Sequence, residues 1–280
     1  MPKTTEATPP AKPELRRTPA VTPEKAWKVL NAGITDDKKE RRAIAIRVLG
    51  LMPRDPRAER AAEAALSDKQ AEVRASAAGA LGQMGATKSK AKLRRALKDS
   101  DSEVVFEAAH SLKDLGDDYA YEVYYAVLTG RMKSGKGLLK EQEEKLKDPK
   151  KMALFGFEQG VGFIPFAGLG YHAFKVLNKD DSSPLRAAAA KALAQDPDPH
   201  TGEALLKAAT SDKSWIVRTA ALDAIAHRGD ASLLPKIGPA LGDERDEVRF
   251  TAAATVLRLA KTVKRGSQRV PLTGRHAVRR

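Results

Sequence analysis

The sequence predicts an all-α protein, a right-handed α-solenoid of about six stacked helix pairs interrupted by an inserted hydrophobic Gly/Phe-rich helical hairpin. Three observations carry that prediction. One segment recurs along the chain at a fixed step, its apolar residues keep helical spacing, and no alternating strand pattern survives in its register. The 280 residues are 42% hydrophobic, enough for a buried core, and contain no cysteine. The missing cysteines exclude a disulfide framework, thiolate catalysis and a Cys-ligated metal.

Residues 1–22 hold five prolines and read as a disordered Pro/Thr-rich arm. The repeat begins after them. DKQAEVRASAAGALGQMG at 68–85 recurs as DSDSEVVFEAAHSLKDLG at 99–116, DKSWIVRTAALDAIAHRG at 212–229 and DERDEVRFTAAATVLRLA at 243–260. Weaker copies lie at 36–52 and 180–196. The marker position steps from Arg42 to Arg74, Val105, Arg186, Arg218 and Arg249, that is by 32, 31, 81, 32 and 31 residues. The long step is one period plus an insertion of about 50 residues. Each unit reads as two helices. The second carries apolar residues at helical spacing, such as Val73, Ala77, Ala80, Leu81 and Met84. The first precedes the Asp, as in 88–97 and 232–241, and YEVYYAVL at 121–128 is assigned by register to the first helix of a fourth unit. The repeats therefore occupy 23–129 and 183–260, with the insert at 130–182 splitting the fourth unit.

The pattern D-x5-R-x2-A-A-x-A-L followed by Gly resembles HEAT repeats of the phycobilisome-lyase-like type, over roughly two-thirds of the chain. The resemblance implies HEAT-like helix pairs and, for function, chiefly a protein-binding scaffold. It also implies a structural ladder of hydrogen bonds along the stack from Asp36, Arg42, Asp68, Arg74, Asp180, Arg186, Asp212, Arg218, Asp243 and Arg249. The carboxylate at constant spacing favours this role over phosphate binding. Asp99 is matched by Val105, so one rung lacks its arginine.

The insert has two parts. GRMKSGKGLLKEQEEKLKDPKK is charged, with a short helix expected from Leu138 to Lys147. MALFGFEQGVGFIPFAGLGYHAFKVL at 152–177 holds five glycines and reads as a hydrophobic hairpin with Pro165 near its tip. Ten of the fourteen aromatic residues fall between 119 and 174. An apolar segment of this size requires cover. Phe155, Phe157, Phe163, Ile164, Pro165, Phe166, Tyr171 and Phe174 are its candidate contact residues. A single membrane span would cut the shared core of one solenoid. Shallow insertion helped by Lys147, Lys150, Lys151 and Lys179 is the membrane alternative.

The net charge of +14 is unevenly placed: residues 183–260 carry ten basic and ten acidic groups, whereas the tail 261–280 carries seven basic groups and no acid. The tail reads as disordered. A nearly neutral body argues against a duplex-binding face and leaves nucleic acid only a nonspecific contact with the tail. No apolar signal opens the chain, so the expected compartment is the cytoplasm, with membrane association through the insert as the alternative.

Catalytic candidates are weak. Gly130-x4-Gly135-Lys136-Gly137 lacks both the Mg²⁺-binding hydroxyl and the preceding strand of a P-loop. His110/Asp114 and Asp223/His227 are i,i+4 pairs on second helices, set two repeats apart in the sequence, too far to share an ion. No His precedes a Glu, so the dyad of the HEAT-like deoxyhypusine hydroxylases is missing, and Trp27 and Trp215 read as packing residues rather than base-stacking ones. No cofactor or metal is expected. The best binding surface is a polar stripe five and nine residues after the markers: Arg47, Gln83, His110, Asp114, Lys191, Gln195, Asp223, His227 and Arg258. The sequence thus reads as a non-enzymatic interaction scaffold that binds a protein partner through its inner surface and the insert, with a peripheral membrane protein as the alternative. A HEAT-like enzyme is a weaker third reading.

Overall fold

The computed structural model describes residues 21–129 and 182–267, which form helices, turns and no strand. Seven α-helices precede the insert: α1 (Pro23–Ile34), α2 (Lys39–Arg47), α3 (Pro56–Ala65), α4 (Ala71–Gln83), α5 (Lys90–Ala96), α6 (Ser102–Asp114) and α7 (Tyr119–Leu128). Four follow it: α8 (Ser183–Ala192), α9 (Pro199–Ser211), α10 (Trp215–Arg228) and α11 (Asp246–Ser267). Three first helices, α1, α3 and α9, open on a capping residue followed by Pro. Thr22 precedes Pro23, Asp55 precedes Pro56, Asp198 precedes Pro199, and each capping side chain accepts a hydrogen bond from the first turn. α10 stops at Gly229, whose φ of 72° lies in the left-handed region that a side chain would disfavour.

The YEVYYAVL stretch is helical, as the register requires. The first helix of the last unit is not an α-helix. Pro235 and Pro239 each remove a backbone donor, and 232–241 is instead two 3₁₀ stretches, Ala231–Lys236 and Gly238–Gly242.

The order of stacking differs from the order of the chain. The second helices pack in the sequence α8, α10, α11, α2, α4, α6, and α7 lies against α6. The last unit therefore stacks on the first. The expected fourth unit is not assembled from α7 and α8: α7 packs on α6 at one end of the stack, and α8 packs on α10 at the other. Phe250 of α11 sits at this junction. Its buried ring fills the space above Gly33, where a Cβ would come within 2.4 Å of the ring, and Arg41 reaches over the same ring at 6.0 Å. Arg258 Nη1 donates to the Leu51 carbonyl at 2.9 Å, and Lys261 donates to the carbonyls of Pro53 and Arg54. α11 runs on to Ser267, seven residues into the stretch read as tail, and Lys261 at the start of that stretch is held by these contacts. At the other terminus Val21 and Thr22 already belong to the fold rather than to the arm.

The ladder connects neighbouring units. Arg42 forks onto Asp68 (2.9 and 3.0 Å), Arg74 onto Asp99 (2.7 and 2.7 Å), Arg186 onto Asp212 (3.1 and 3.0 Å) and Arg218 onto Asp243 (2.8 and 2.9 Å). Three of these arginines, Arg42, Arg74 and Arg218, also donate to the backbone carbonyl of the Asp six residues before them. Asp99 is therefore engaged, by Arg74. The rung that lacks a donor is the next one, where Val105 packs with Ala109 and Val123 of α7 and the ladder stops. At the last-to-first junction a relay replaces the fork. Arg249 turns onto Asp246, Asp246 pairs with Arg41 at 3.0 Å, and Arg41 pairs with Asp36. Asp180 lies outside the described residues.

Two outcomes are expected. Phe250→Ala empties the junction and lowers the unfolding free energy by about 3–5 kcal/mol, while Gly33→Val overfills it; urea denaturation read by circular dichroism measures both. The Arg42 and Arg74 hydrogen bonds hold the Asp68 and Asp99 carboxyls below the usual carboxylate range. Burial pushes Asp212 and Asp243 up, but their arginines and backbone donors outweigh it, and both also end below that range. A depressed folded-state value contributes stability that is complete above the unfolded value of about 3.9 and disappears as pH falls through the folded one. Unfolding free energy is thus flat from about pH 7 to pH 5 and falls steeply below about pH 4. Asp68→Asn should remove about 3 kcal/mol at neutral pH and make that fall shallower; an unchanged acid slope in the variant would refute the assignment.

Candidate functional site

The second helices carry the stripe because positions five and nine after the marker lie one turn apart on the same face. Last-to-first stacking then brings together stripe residues that are distant in the sequence. Arg47, Gln83, Lys191, Gln195, Asp223, His227 and Arg258 line a single cavity of about 890 Å³. Its walls come from α2 and the turn after it, from α4, α10 and α11, and from the end of α8 and the turn that follows. His110 and Asp114 are not among its lining residues. They face each other across 3.4 Å on the exposed side of α6, four stacking steps from Asp223 and His227 rather than the two that the sequence order implies. Among the described residues no group of three or more His, Asp or Glu is placed to hold a metal ion.

Asp223 is the electrostatic centre of the cavity. His227 Nδ1 lies 3.0 Å from the Asp223 carbonyl and 3.6 Å from its carboxylate. Burial pulls the Lys191 ammonium and the Arg258 guanidinium below their ordinary values, and the Asp223 carboxylate opposes the shift in both. The same carboxylate thus acts on both cations. Arg258 has a second task, since its bond to Leu51 joins the last unit to the first. Ile44, Val48, Leu51, Pro53 and Trp215 supply an apolar wall. Trp215 is crossed by Arg245 at 5.6 Å, whereas Trp27 is buried in the core under Arg57 at 4.3 Å. At the neck, Gly50 is pressed against Gln83, whose Oε1 lies 2.3 Å from where a Cβ would stand.

One group of lining residues was missed by the stripe. Glu40, Glu72 and Glu247 lie two residues before the markers Arg42, Arg74 and Arg249, and all three line the cavity. Their common register was a readable signal, since seven residues before the first stripe position is two turns along the same helix face, and they add carboxylates to the lining. The candidate insert residues Phe155, Phe157, Phe163, Ile164, Pro165, Phe166, Tyr171 and Phe174, and the glycine-rich loop at 130–137, lie outside the described residues. Among the described residues no helix is long and apolar enough to cross a membrane.

The repeats and their stacking define a class. The sequence pattern of HEAT repeats matches residues 27–113, 61–141 and 172–258, well over half of the chain, and the protein belongs to the HEAT-repeat family. Among solved structures it is similar to the complex of CpcE and CpcF of phycocyanin lyase from Nostoc sp. PCC7120, with 20% identity, 95% of this chain and 99% of that chain covered, and a TM-score of 0.34. It is similar to human deoxyhypusine hydroxylase in complex with glycerol at 17% identity, 85% and 84% coverage and a TM-score of 0.32. It is also similar to a designed armadillo repeat protein at 15% identity, 85% and 99% coverage and a TM-score of 0.25. No curated protein matches the chain.

Proposed function

We propose that the protein is a non-enzymatic interaction scaffold whose partner protein inserts a segment into the inner cavity. The observation that supports this reading is the gathering of seven polar stripe residues, three glutamates and an apolar wall into one concavity at the last-to-first junction. An apolar wall with a few convergent charges is the usual composition of a binding cleft. The desolvated cations Lys191 and Arg258 around Asp223 would pair with a carboxylate of the partner. The glutamates of the lining would take its cations, and Trp215 with Ile44 would hold its apolar side chain.

The test compares affinity capture from host extract by the wild type and by the double variant Lys191→Glu/His227→Glu, followed by titration with the purified captured protein. The variant should keep its circular dichroism and melting temperature and lose at least about 30-fold in affinity, as for a buried hot spot worth about 2 kcal/mol. His110→Glu/Asp114→Lys, outside the cavity, should bind like the wild type. Equal loss in both variants, or retained binding in the first, would reject the cavity as the site.

A further inference from the structure

α8 is a second helix whose first helix is absent from the described residues. In the five other units a helical segment ends four to six residues before the second helix begins. Before α8, the described chain starts at Ser182. The consequence is visible on its surface. Leu185 and Leu193 are 53% and 37% exposed. In repeat register Leu185 corresponds to Val73, Val104, Val217 and Val248, and Leu193 corresponds to Leu49, Leu81, Leu112, Ile225 and Val256. All nine of those residues are 2% exposed or less. Ala189 is also exposed, although its equivalents Ala45, Ala77, Ala108, Ala221 and Ala252 are buried. The stripe that every other unit places in the core is bare on α8.

We infer that this bare face is the docking site of residues 165–178 of the same chain, which supply the missing first helix. Three features of the sequence select that segment. It ends five residues before Ser183, within the spacing of the other units. It starts with Pro165, 18 residues before α8, as Pro23, Pro56 and Pro199 start α1, α3 and α9, at 16, 15 and 16 residues before their second helices. Phe166, Leu169, Ala173, Val176 and Leu177 recur at helical spacing on one side, with Gly168, His172 and Lys175 opposite. The second half of the insert is then a repeat helix facing the core, and Phe166 and Leu177 are withdrawn from contact with a partner or a membrane. The solenoid has three complete units on each side of the junction, with α7 as an extra helix at the far end. The proposal does not depend on the cavity.

The chain has no cysteine, so introduced pairs can be read without background. An antiparallel helix pair brings Leu177 near Leu185 and Leu169 near Leu193. In the full-length protein, Leu177→Cys/Leu185→Cys and Leu169→Cys/Leu193→Cys should form disulfides within one chain under mild oxidation. Lys175→Cys/Leu185→Cys and Gly168→Cys/Leu193→Cys should not. Leu185→Cys alone should react with a maleimide at least about tenfold more slowly than an exposed Lys213→Cys control. Disulfides between chains would assign the face to a second copy. Cross-linking without helical periodicity, or Leu185→Cys reacting as fast as the control, would leave the face bare or open to a foreign partner. Each of those results overturns the inference.

Discussion

The structure depends on one contact, the Phe250 ring over Gly33. A solenoid unit buries its apolar face only against its neighbours, so each end of a stack is an unfilled interface. Here the ends of the chain are not the ends of the stack. Gly33 leaves the space, Phe250 fills it, and the first and last units become neighbours in the middle of the molecule. The open ends fall instead at α7 and α8, the two elements that flank the insert, and these carry most of the exposed large apolar side chains among the described residues.

The polar contacts follow the same arrangement. Within each half, the bidentate Arg–Asp fork ties a helix in one unit to a turn in the next, and the same carboxylate accepts from the backbone two residues on. A fork of this kind fixes both distance and rotation. At the junction the fork gives way to the Arg249–Asp246–Arg41–Asp36 relay. Arg41 occupies the position that holds valine in four other units, so the first unit carries an additional cation suited to an acidic neighbour. Arg258 and Lys261 complete the joint by donating to carbonyls in the turn after α2.

The cavity is a by-product of that joint. Its walls combine helices more than 130 residues apart in the chain, with α2 and α4 on one side and α10 and α11 on the other. Arg258 therefore has two places at once, in the lining of the cavity and in the joint that holds the first unit to the last. Lys191, His227, Gln195 and Asp223 lie beside the joint rather than in it. Their chemistry can be altered without opening the stack.

Much of the fold was legible in the sequence. Helical periodicity, the Asp–Arg spacing and the Pro and Gly punctuation are local signals, each read within one 31–32-residue unit. They placed every described second helix and the register of the stripe. The polar stripe was legible for the same reason, and the glutamates two residues before the markers were legible but overlooked. The 3₁₀ form of the last unit's first helix could be expected from Pro235 and Pro239 once the rise of the chain was considered. The order of stacking was not legible. It rests on a ring meeting a missing side chain 217 residues away, and neither residue departs from the repeat pattern enough to announce the pairing. The sequence by itself determined the units and their faces, because those depend on spacing within a helix pair. Only the tertiary structure decided which units are neighbours, because any two apolar repeat faces can stack and the choice is made by shape and charge at the joint.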